Sequence, residues 1–332
     1  MFKPLISIII PVLNGAEFLI NCFKSIDEQN YDNLDIIFVD NNSSDKSKNL
    51  ITAYCKERKN SRFFICKKQG VSAARNFGLN ESRGQYISFL DVDDEIFPEK
   101  FNILMDVFEK NPEIGMAIGD TYKIYKNGKK HRIDYGHLKV GLNKWPKPGL
   151  LWLDQFQHSP HISSNLIKKE IITGDVKFPE KLNFGEDIAF SIKIGLNNNI
   201  YYCDKLVSFY NRHSKSTVSI SNTKVSNSER YLQFYEKFAL QYFFQNRQNI
   251  IFQNAFNKCE KVTYDLFHKL LKEENKIDYF NNLNDLIVRG LLKPDIIQRY
   301  LYKIFSYKYA NYLYFKLNDL KVKFYKSFRD YD

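Results

Sequence analysis

The chain has 332 residues, 44% of them hydrophobic and 26% charged, which is typical of a soluble globular protein with one large domain and an appendage, or with two domains. Its net charge of +11 favours anionic partners: nucleotide phosphates, nucleic acid or anionic lipid. Five cysteines stand singly without paired spacing, which favours reduced thiols in a cytosolic compartment and argues against a disulfide framework or a zinc knuckle.

Membrane-spanning and nucleic-acid-binding classes are not indicated either. The sequence opens on a strand-like run at residues 5–10 without signal-peptide flanks, and no apolar run approaches the ~18 residues that a spanning helix needs. Nothing resembles a zinc finger or an RNP-type aromatic motif, so no nucleic acid is expected as a partner. We expect a cytoplasmic protein that is not integral to a membrane.

The first 90 residues are predicted to alternate strands with helices. The predicted strands are residues 5–10, 35–39, 62–66 and 86–90, and a predicted helix covers residues 70–81. Such alternation indicates an α/β fold with a mostly parallel sheet, whose ligands bind beyond the carboxyl ends of the strands. Asn14 follows the first strand, and Asp40 and Asn41 follow the second. We expect Asp40, Asn41 and the carboxylates that follow the fourth strand to face the same crevice.

Three carboxylates stand where the fourth strand ends. Asp91, Asp93 and Asp94 would repel one another in a dry site unless a cation lies among them. Oxygen ligands at a strand end suit Mg²⁺ or Mn²⁺ rather than zinc. An acidic surface turn is the alternative. The cluster predicts a divalent-cation site that holds nucleotide phosphates.

The middle of the chain mixes hairpins, loops and one acidic helix start. A strand is predicted at residues 114–118, a type I′ hairpin turn at Asn127-Gly128, and a long loop with one helix at 135–160. Residues 162–167, 200–203 and 206–210 are further candidate strands, and Gly185-Glu186-Asp187 opens a helix. Acidic residues in a first helical turn also satisfy the helix dipole, without any catalytic role.

The composition changes near residue 223 to helical repeats of Phe, Tyr, Leu and Lys. We therefore predict a catalytic domain at residues 1–222 and a helical region at 223–332. An apolar stripe at Leu313, Leu317, Leu320, Phe324 and Phe328 accompanies surplus basic residues in 293–332. Such a helix either packs on the protein or lies on anionic lipid, as a peripheral contact at the inner face of the cell membrane.

With these elements in place, the chain resembles the family 2 glycosyltransferases of the GT-A fold, most of which are inverting enzymes. The resemblance covers residues 5 to about 217. It rests on five ordered segments, namely residues 7–14 (SIIIPVLN), 38–45 (FVDNNSSD), 70–78 (GVSAARNFG), 84–94 (GQYISFLDVDD) and 185–187 (GED).

The resemblance implies roles for the residues that match those segments. The implied donor-binding residues are Pro11, Val12, Leu13, Asn14, Asp40, Asn41, Arg75, Asp91 and Asp93. The implied metal ligands are Asp91, Asp93 and, in a late loop, His213, for which a surface contact with phosphate is the alternative. Asp187 is the implied general base, and Glu186 and Trp152 are expected on the acceptor side.

The same resemblance implies the partners: a nucleotide-sugar donor, and a glycan or lipid-linked oligosaccharide acceptor of surface polysaccharide biosynthesis. Asn41 stands where uridine-binding members often carry Asp, and an amide can donate as well as accept. A UDP-sugar is therefore the favoured donor, while other nucleotides stay open. Gln69 also replaces an Asn that is common before the glycine of residue 70.

Three other functions are alternatives to a glycosyltransferase. A nucleotidyltransferase shares the fold class but needs a Gly-rich, Arg-bearing loop after the first strand, and Pro11-Val12-Leu13-Asn14 has neither residue type. A dinucleotide-dependent dehydrogenase needs G-x-G-x-x-G there, which is absent. A catalytically degenerate scaffold on the same fold is the non-enzyme alternative, although the implied metal and base positions all keep their carboxylates.

Overall fold

The computed structural model describes residues 3–213, 227–246, 248–274, 289 and 291. The chain divides into two compact units, Met1–Ser216 and Thr217–Asp332, and each is described by itself. The predicted boundary between residues 222 and 223 falls outside the described residues and stays a prediction.

The first unit contains ten strands and six α-helices among its described residues. The strands are β1 (Ile6–Val12), β2 (Leu34–Asp40), β3 (Ser61–Ile65), β4 (Tyr86–Phe89), β5 (Glu95–Ile96), β6 (Ile114–Ile124), β7 (Lys130–Arg132), β8 (Gly141–Asn143), β9 (Asn165–Lys168) and β10 (Asn199–Asn211). The helices are α1 (Leu19–Asp27), α2 (Ser47–Glu57), α3 (Val71–Glu81), α4 (Lys100–Lys110), α5 (Lys147–Asp154) and α6 (Glu186–Asn197).

All ten strands join one sheet, whose main order is β3-β2-β1-β4-β9-β6-β10-β5, with β7 beside β6 and β8 beside β10. Strands β1 to β4 run parallel to one another, as the alternation of strands and helices predicts. Every residue of β1 and β2 is buried, because helices cover both faces of a parallel sheet. Strand β9 is antiparallel to both β4 and β6, so the sheet is mixed beyond β4.

Helix α1 shows how the apolar spacing positions an element. Its apolar residues Leu19, Cys22, Phe23 and Ile26 are buried, and Phe23 stacks on Tyr54 of α2 with ring centroids 4.1 Å apart. The Phe23 ring also meets Phe38 of β2 edge-on. This apolar layer fixes the start of α1 at the carboxyl end of β1.

Two local predictions in the middle of the chain were wrong. Asn127 is not in the left-handed region that a type I′ turn requires, whereas Gly128 is, with φ 76°. The Gly128 N–H donates to Tyr125 O, and the Tyr125 N–H donates to Lys129 O, which is a three-residue turn with a glycine bulge. The strands expected at 200–203 and 206–210 form the single strand β10, which passes their junction through register shifts against β6.

The second unit is helical where it is described. Its elements are α7 (Asn227–Phe234), a π-helical segment (Tyr235–Ala239), α8 (Leu240–Gln245) and α9 (Ile250–Glu274). Within the described part of the chain, no helix combines the length and apolar character needed to span a bilayer. The predicted stripe from Leu313 to Phe328 lies outside the described residues, and membrane contact through 293–332 stays a prediction.

Candidate functional site

Three polar turns meet at the carboxyl edge of the sheet. Val12 pairs in register with Asp40, and Asp40 pairs with Ile65. Ile9 of β1 pairs with Phe89 of β4, two residues before Asp91, where the acidic turn (residues 91–94) begins. The acidic turn therefore runs beside the end of β1, and the turns that follow β1, β2 and β4 border one crevice.

The turn after β1 is tied to the turn after β2. Asn14 adopts a left-handed conformation (φ 51°), its N–H donates to Ser43 Oγ (2.9 Å), and its Oδ1 accepts from the Ser44 N–H (2.8 Å). Pro11 and Val12 are buried in β1, whereas the Leu13 side chain beyond its end is 49% exposed. Of the four predicted donor-binding residues at the end of β1, Leu13 and Asn14 are exposed to solvent.

Asp40 and Asn41 are both directed into the protein. Asp40 has no exposed surface and accepts from the Ser43 N–H. Asn41 is 2% exposed, and its Nδ2 donates to Cys66 O (3.1 Å) and Lys68 O (2.7 Å) while its Oδ1 accepts from the Gly70 N–H (2.7 Å). The Asn41 side chain organises the loop between β3 and α3, and the Asp40 side chain organises the turn after β2. Their predicted contacts with a nucleoside stay predictions.

We expect Asn41→Asp to destabilise the protein by about 2 to 4 kcal/mol, because a carboxylate cannot donate to the two loop carbonyls and a buried polar group left without a partner costs about 1–3 kcal/mol. Urea unfolding measures the change. Asn42→Asp is the matched control, since Asn42 donates to the same loop from an exposed position where water can replace it. Equal losses in the two variants would contradict this role of Asn41.

Arg75 joins the acidic turn to the start of α6. It is 3% exposed, and its guanidinium donates to Asp91 Oδ1 (2.6 Å) and to Glu186 Oε1 (2.9 Å). Burial disfavours the charged form, but the two carboxylates outweigh it and raise the pKa of Arg75 above its ordinary value. Its buried Nε has no hydrogen-bond partner among the described residues. The sequence-predicted Arg75, Asp91 and Glu186 are thus one connected group.

Each carboxylate of the acidic turn has a different partner. Asp91 contacts Arg75, Asp93 Oδ2 lies 2.8 Å from His213 Nε2, and Asp94 Oδ2 accepts from Ser163 Oγ (2.7 Å). Burial, and then the neighbouring carboxylates, raise the pKa values of Asp93 and Asp94. The predicted approach of His213 to the acidic turn is present in the structure.

A buried lysine lies behind this turn, and the sequence reasoning missed it. Lys100 has no exposed surface, and its Nζ donates to Ser88 Oγ and to Ser163 O, both at 2.8 Å. Burial lowers the pKa of Lys100 to about 7, although Asp94 opposes the shift. The sequence contains an indication of this burial, because Lys100 stands four residues before Leu104 on the apolar face of its helix.

Ser163 connects this lysine to the acidic turn. Its hydroxyl donates to Asp94 and accepts from the Asp91 N–H (3.3 Å), while its carbonyl accepts from Lys100. Nearby, His161 stacks on Tyr210, and burial lowers the pKa of His161 to about 4. The acidic turn is therefore fixed from behind by buried polar groups.

Asp187 occupies the first turn of α6, two residues after Gly185, whose left-handed backbone (φ 74°) precedes the helix. Its carboxyl is partly buried, and Oδ1 accepts from the Ile188 N–H (2.9 Å). Burial and the neighbouring Glu186 carboxylate raise the pKa of Asp187 to about 7, and Arg75 opposes the shift. A carboxyl with this pKa accepts a proton readily at neutral pH.

Trp152 is not placed for the predicted acceptor contact. Its side chain has no exposed surface and packs between α5 and α6, where a Cβ added at Gly195 would lie 2.6 Å from the indole ring. The glycine leaves room for the indole, so Trp152 is a core residue in this structure. Glu186, the other residue expected on that side, is held by Arg75.

A divalent cation fits some of these donors. Within the described residues, no three His, Cys, Asp or Glu side chains converge as a metal site, because Asp91 is directed toward Arg75. The spacing of 2.8 Å between Asp93 Oδ2 and His213 Nε2 is close to the ~3 Å that separates adjacent ligands of an octahedral ion with bonds of about 2.1 Å. The carboxylate oxygens of the site suit Mn²⁺ or Mg²⁺.

Comparison with known protein families shows which family the chain belongs to. The profile described as "Glycosyl transferase family 2" matches residues 7–172, half of the 332-residue chain. The chain belongs to this family. The match contains β1 to β4, the acidic turn, Arg75, Lys100 and Ser163, and it ends before Asp187 and His213.

Several similar proteins align with part of the chain. An uncharacterized glycosyltransferase of Rickettsia conorii is 32% identical over 203 residues, which are 61% of this chain and 32% of that protein. The minor teichoic acid biosynthesis protein GgaB of Bacillus subtilis is 30% identical over 188 residues, 54% of this chain and 20% of GgaB. The chain spans about a third of the length of this Rickettsia conorii protein and of the relatives from Rickettsia felis and Rickettsia bellii.

A solved structure shows the same fold. Residues 1–349 of TarS from S. aureus, in complex with UDP-GlcNAc, superpose with a TM-score of 0.60 at 16% identity, covering 98% of this chain and 92% of that chain. The predicted GT-A fold, a central sheet flanked by helices, is confirmed.

Proposed function

We propose that this family 2 member is a metal-dependent, inverting glycosyltransferase that moves a sugar from a nucleotide-sugar donor to a glycan or lipid-linked acceptor in surface polysaccharide biosynthesis. One observation carries the proposal. Buried Arg75 joins Asp91 of the acidic turn to Glu186, the immediate neighbour of the Asp187 carboxyl whose pKa is raised to about 7. A candidate phosphate-binding turn and a candidate general base are thereby held in one site.

Asp91, Asp93 and His213 are the residues that would hold the divalent cation. When bound, the cation neutralises the charge that develops on the departing nucleoside diphosphate. The buried Lys100 and Ser163 restrain the turn from behind, so the carboxylates keep their positions. Arg75 lies at the same turn, and its guanidinium is the proposed donor to a diphosphate oxygen or to the sugar.

Asp187 is the proposed general base. An inverting displacement needs one carboxylate to take the proton of the acceptor hydroxyl on the face opposite the leaving group. Asp187 remains partly accessible, whereas Glu186 is engaged by Arg75, so Asp187 is the better candidate of the pair.

A UDP-sugar is the proposed donor, supported by the TarS structures, which were determined with UDP-GlcNAc and with UDP. The name of the GgaB relative supports an acceptor of the surface-polymer type. Exposed Leu13 and Asn14 border the crevice in which the nucleoside would bind.

A thermal-shift experiment tests the proposal. We expect UDP at about 100 times its Kd to raise Tm by about 5 to 10 °C with Mn²⁺ present, since such a ligand adds about 2.7 kcal/mol and each kcal/mol is worth about 2–4 °C at this size. UDP without metal, and Mn²⁺ alone, should give much smaller shifts. A shift by UDP that is independent of metal would contradict the proposed site.

A further inference from the structure

The hairpin formed by β6 and β7 carries an excess of positive charge beside the site. The basic hairpin, residues 122–132 (YKIYKNGKKHR), contains four lysines and one arginine and no Asp or Glu. Residues 126–132 are all exposed. Arg132 is paired with Asp120 (2.8 Å) at the base of the hairpin.

The turn of the basic hairpin begins at the end of β6, one strand away from the acidic turn. Ile124 pairs with Asn211 of β10, and the Arg212 N–H donates to Ile124 O (2.8 Å). Asn211 in turn donates through Nδ2 to Asp93 O (3.0 Å). The hairpin therefore extends from the same carboxyl edge of the sheet as the candidate metal ligands Asp93 and His213.

The lysines of the hairpin rest on aromatic rings of these strands. Lys123 Nζ lies 5.4 Å from the Tyr125 ring centroid and 5.6 Å from that of Tyr210, and Lys130 Nζ lies 5.5 Å from the Phe209 centroid. Such contacts place the charges without neutralising them. An anion that approaches the site along β6 and β10 therefore meets a row of cations.

We propose that the basic hairpin is a docking surface for the acceptor, and that this acceptor is a glycan chain bearing repeated anionic groups, phosphodiester or carboxylate. This inference rests on the proposed glycosyl transfer, and it specifies the acceptor of the same site. A row of exposed lysines attracts a polyanion at long range and holds successive charges of the chain, so one end of the acceptor is brought to the acidic turn.

The composition of the surface favours an anionic chain over a membrane. Surfaces that dock on lipid combine cations with exposed apolar side chains. The exposed residues 126–132 include no aliphatic or aromatic side chain except the His131 imidazole. Exposed Val140, Leu142 and Trp145 lie around β8, which pairs with Ile200–Tyr202 at the other end of β10.

The test measures binding of sodium polyphosphate and of polygalacturonate, with neutral dextran as the uncharged chain. The variant is Lys126→Gln/Lys129→Gln/Lys130→Gln, at exposed positions outside the proposed donor site. The control is Lys24→Gln/Lys56→Gln/Lys59→Gln, which changes the net charge equally at exposed positions on α1, on α2 and just after α2. Lys129→Gln alone serves if the triple variant does not fold.

We expect the parent chain to bind at least one of the two polyanions, and the hairpin variant to bind it at least about 10-fold more weakly at low salt. Because each phosphate contact of a flexible chain contributes about 0.7 to the salt slope, the slope should fall by about 2 in the triple variant and by about 0.7 in Lys129→Gln. The control should keep the parent affinity and slope. Which polyanion binds identifies the anionic group.

Three results would overturn the inference: no binding of either polyanion, an equal loss in the control, or binding to anionic vesicles with no binding to the soluble chains. The test of this inference and the test of the proposed function can fail independently of each other. Mn²⁺-dependent UDP binding reports on the donor site and should be intact in the hairpin variant, and its absence from the parent chain would refute the donor chemistry whatever the polyanions do.

Discussion

Replacing Asp187 by Asn should lower kcat by about 10²- to 10⁴-fold while leaving Mn²⁺-dependent nucleotide binding nearly unchanged, because the isosteric amide cannot accept the proton of the acceptor hydroxyl. The pH dependence of kcat is the more specific test of Asp187 as the general base. Burial and Glu186 raise the pKa of Asp187 to about 7, so the base form is populated above that pH. The parent kcat should therefore rise tenfold per pH unit below about pH 7 and level off above it.

Steady-state kinetics on a sugar-nucleotide hydrolysis or transfer assay, from pH 5 to 9, measures both effects. Asp204→Asn is the matched control, since Asp204 is exposed in β10 and the same chemical change there should leave the kcat and its pH profile as in the parent. Comparable kcat values for Asp187→Asn and the parent protein would remove Asp187 from the role of base.

Local sequence pattern was enough to predict the part of the fold that forms by local alternation. The apolar runs before Asn14, Asp40 and Asp91 predict strands that the structure contains, and parallel pairing places their ends at one edge. The sheet beyond β4 was less predictable. The antiparallel position of β9 between β4 and β6, and the continuity of β10, depend on pairings between residues far apart in sequence.

In the site, too, the sequence pattern identified some residues, whereas the positions of others depend on long-range contacts. The carboxylates of the acidic turn were recognisable because three of them in four positions demand a counter-charge. The commitment of Asn41 to the loop carbonyls, and the burial of Trp152 against Gly195, follow from partners that sequence alone does not reveal. Lys100 was overlooked because a lysine on a helix is ordinarily solvent-exposed, and its partners Ser88 and Ser163 lie on other elements.

The second large effect is expected at Asp93. Asp93→Ala should abolish the Mn²⁺-dependent part of UDP binding, raising the Kd of the metal–nucleotide pair by more than about 100-fold, since loss of an outer-shell partner alone costs 10- to 100-fold. The variant should stay folded. Burial and Asp91 raise the pKa of Asp93, so its ionised form is unfavourable in the fold above the ordinary carboxyl pKa, and truncation removes that cost at neutral pH.

Calorimetric titration of UDP with and without Mn²⁺ separates these contributions, with urea unfolding as the check on stability. Asp32→Ala is the control, because the Asp32 side chain is 94% exposed and lies at the amino end of β2, away from the acidic turn. Loss of His213 should act in the same direction, since its Nε2 faces Asp93 Oδ2 at 2.8 Å, and His213→Ala should weaken metal-dependent binding while binding of UDP alone stays unchanged. Metal-dependent UDP binding of parent strength in Asp93→Ala would show that the acidic turn does not hold the cation, and the site would then have to be sought among other carboxylates of the crevice.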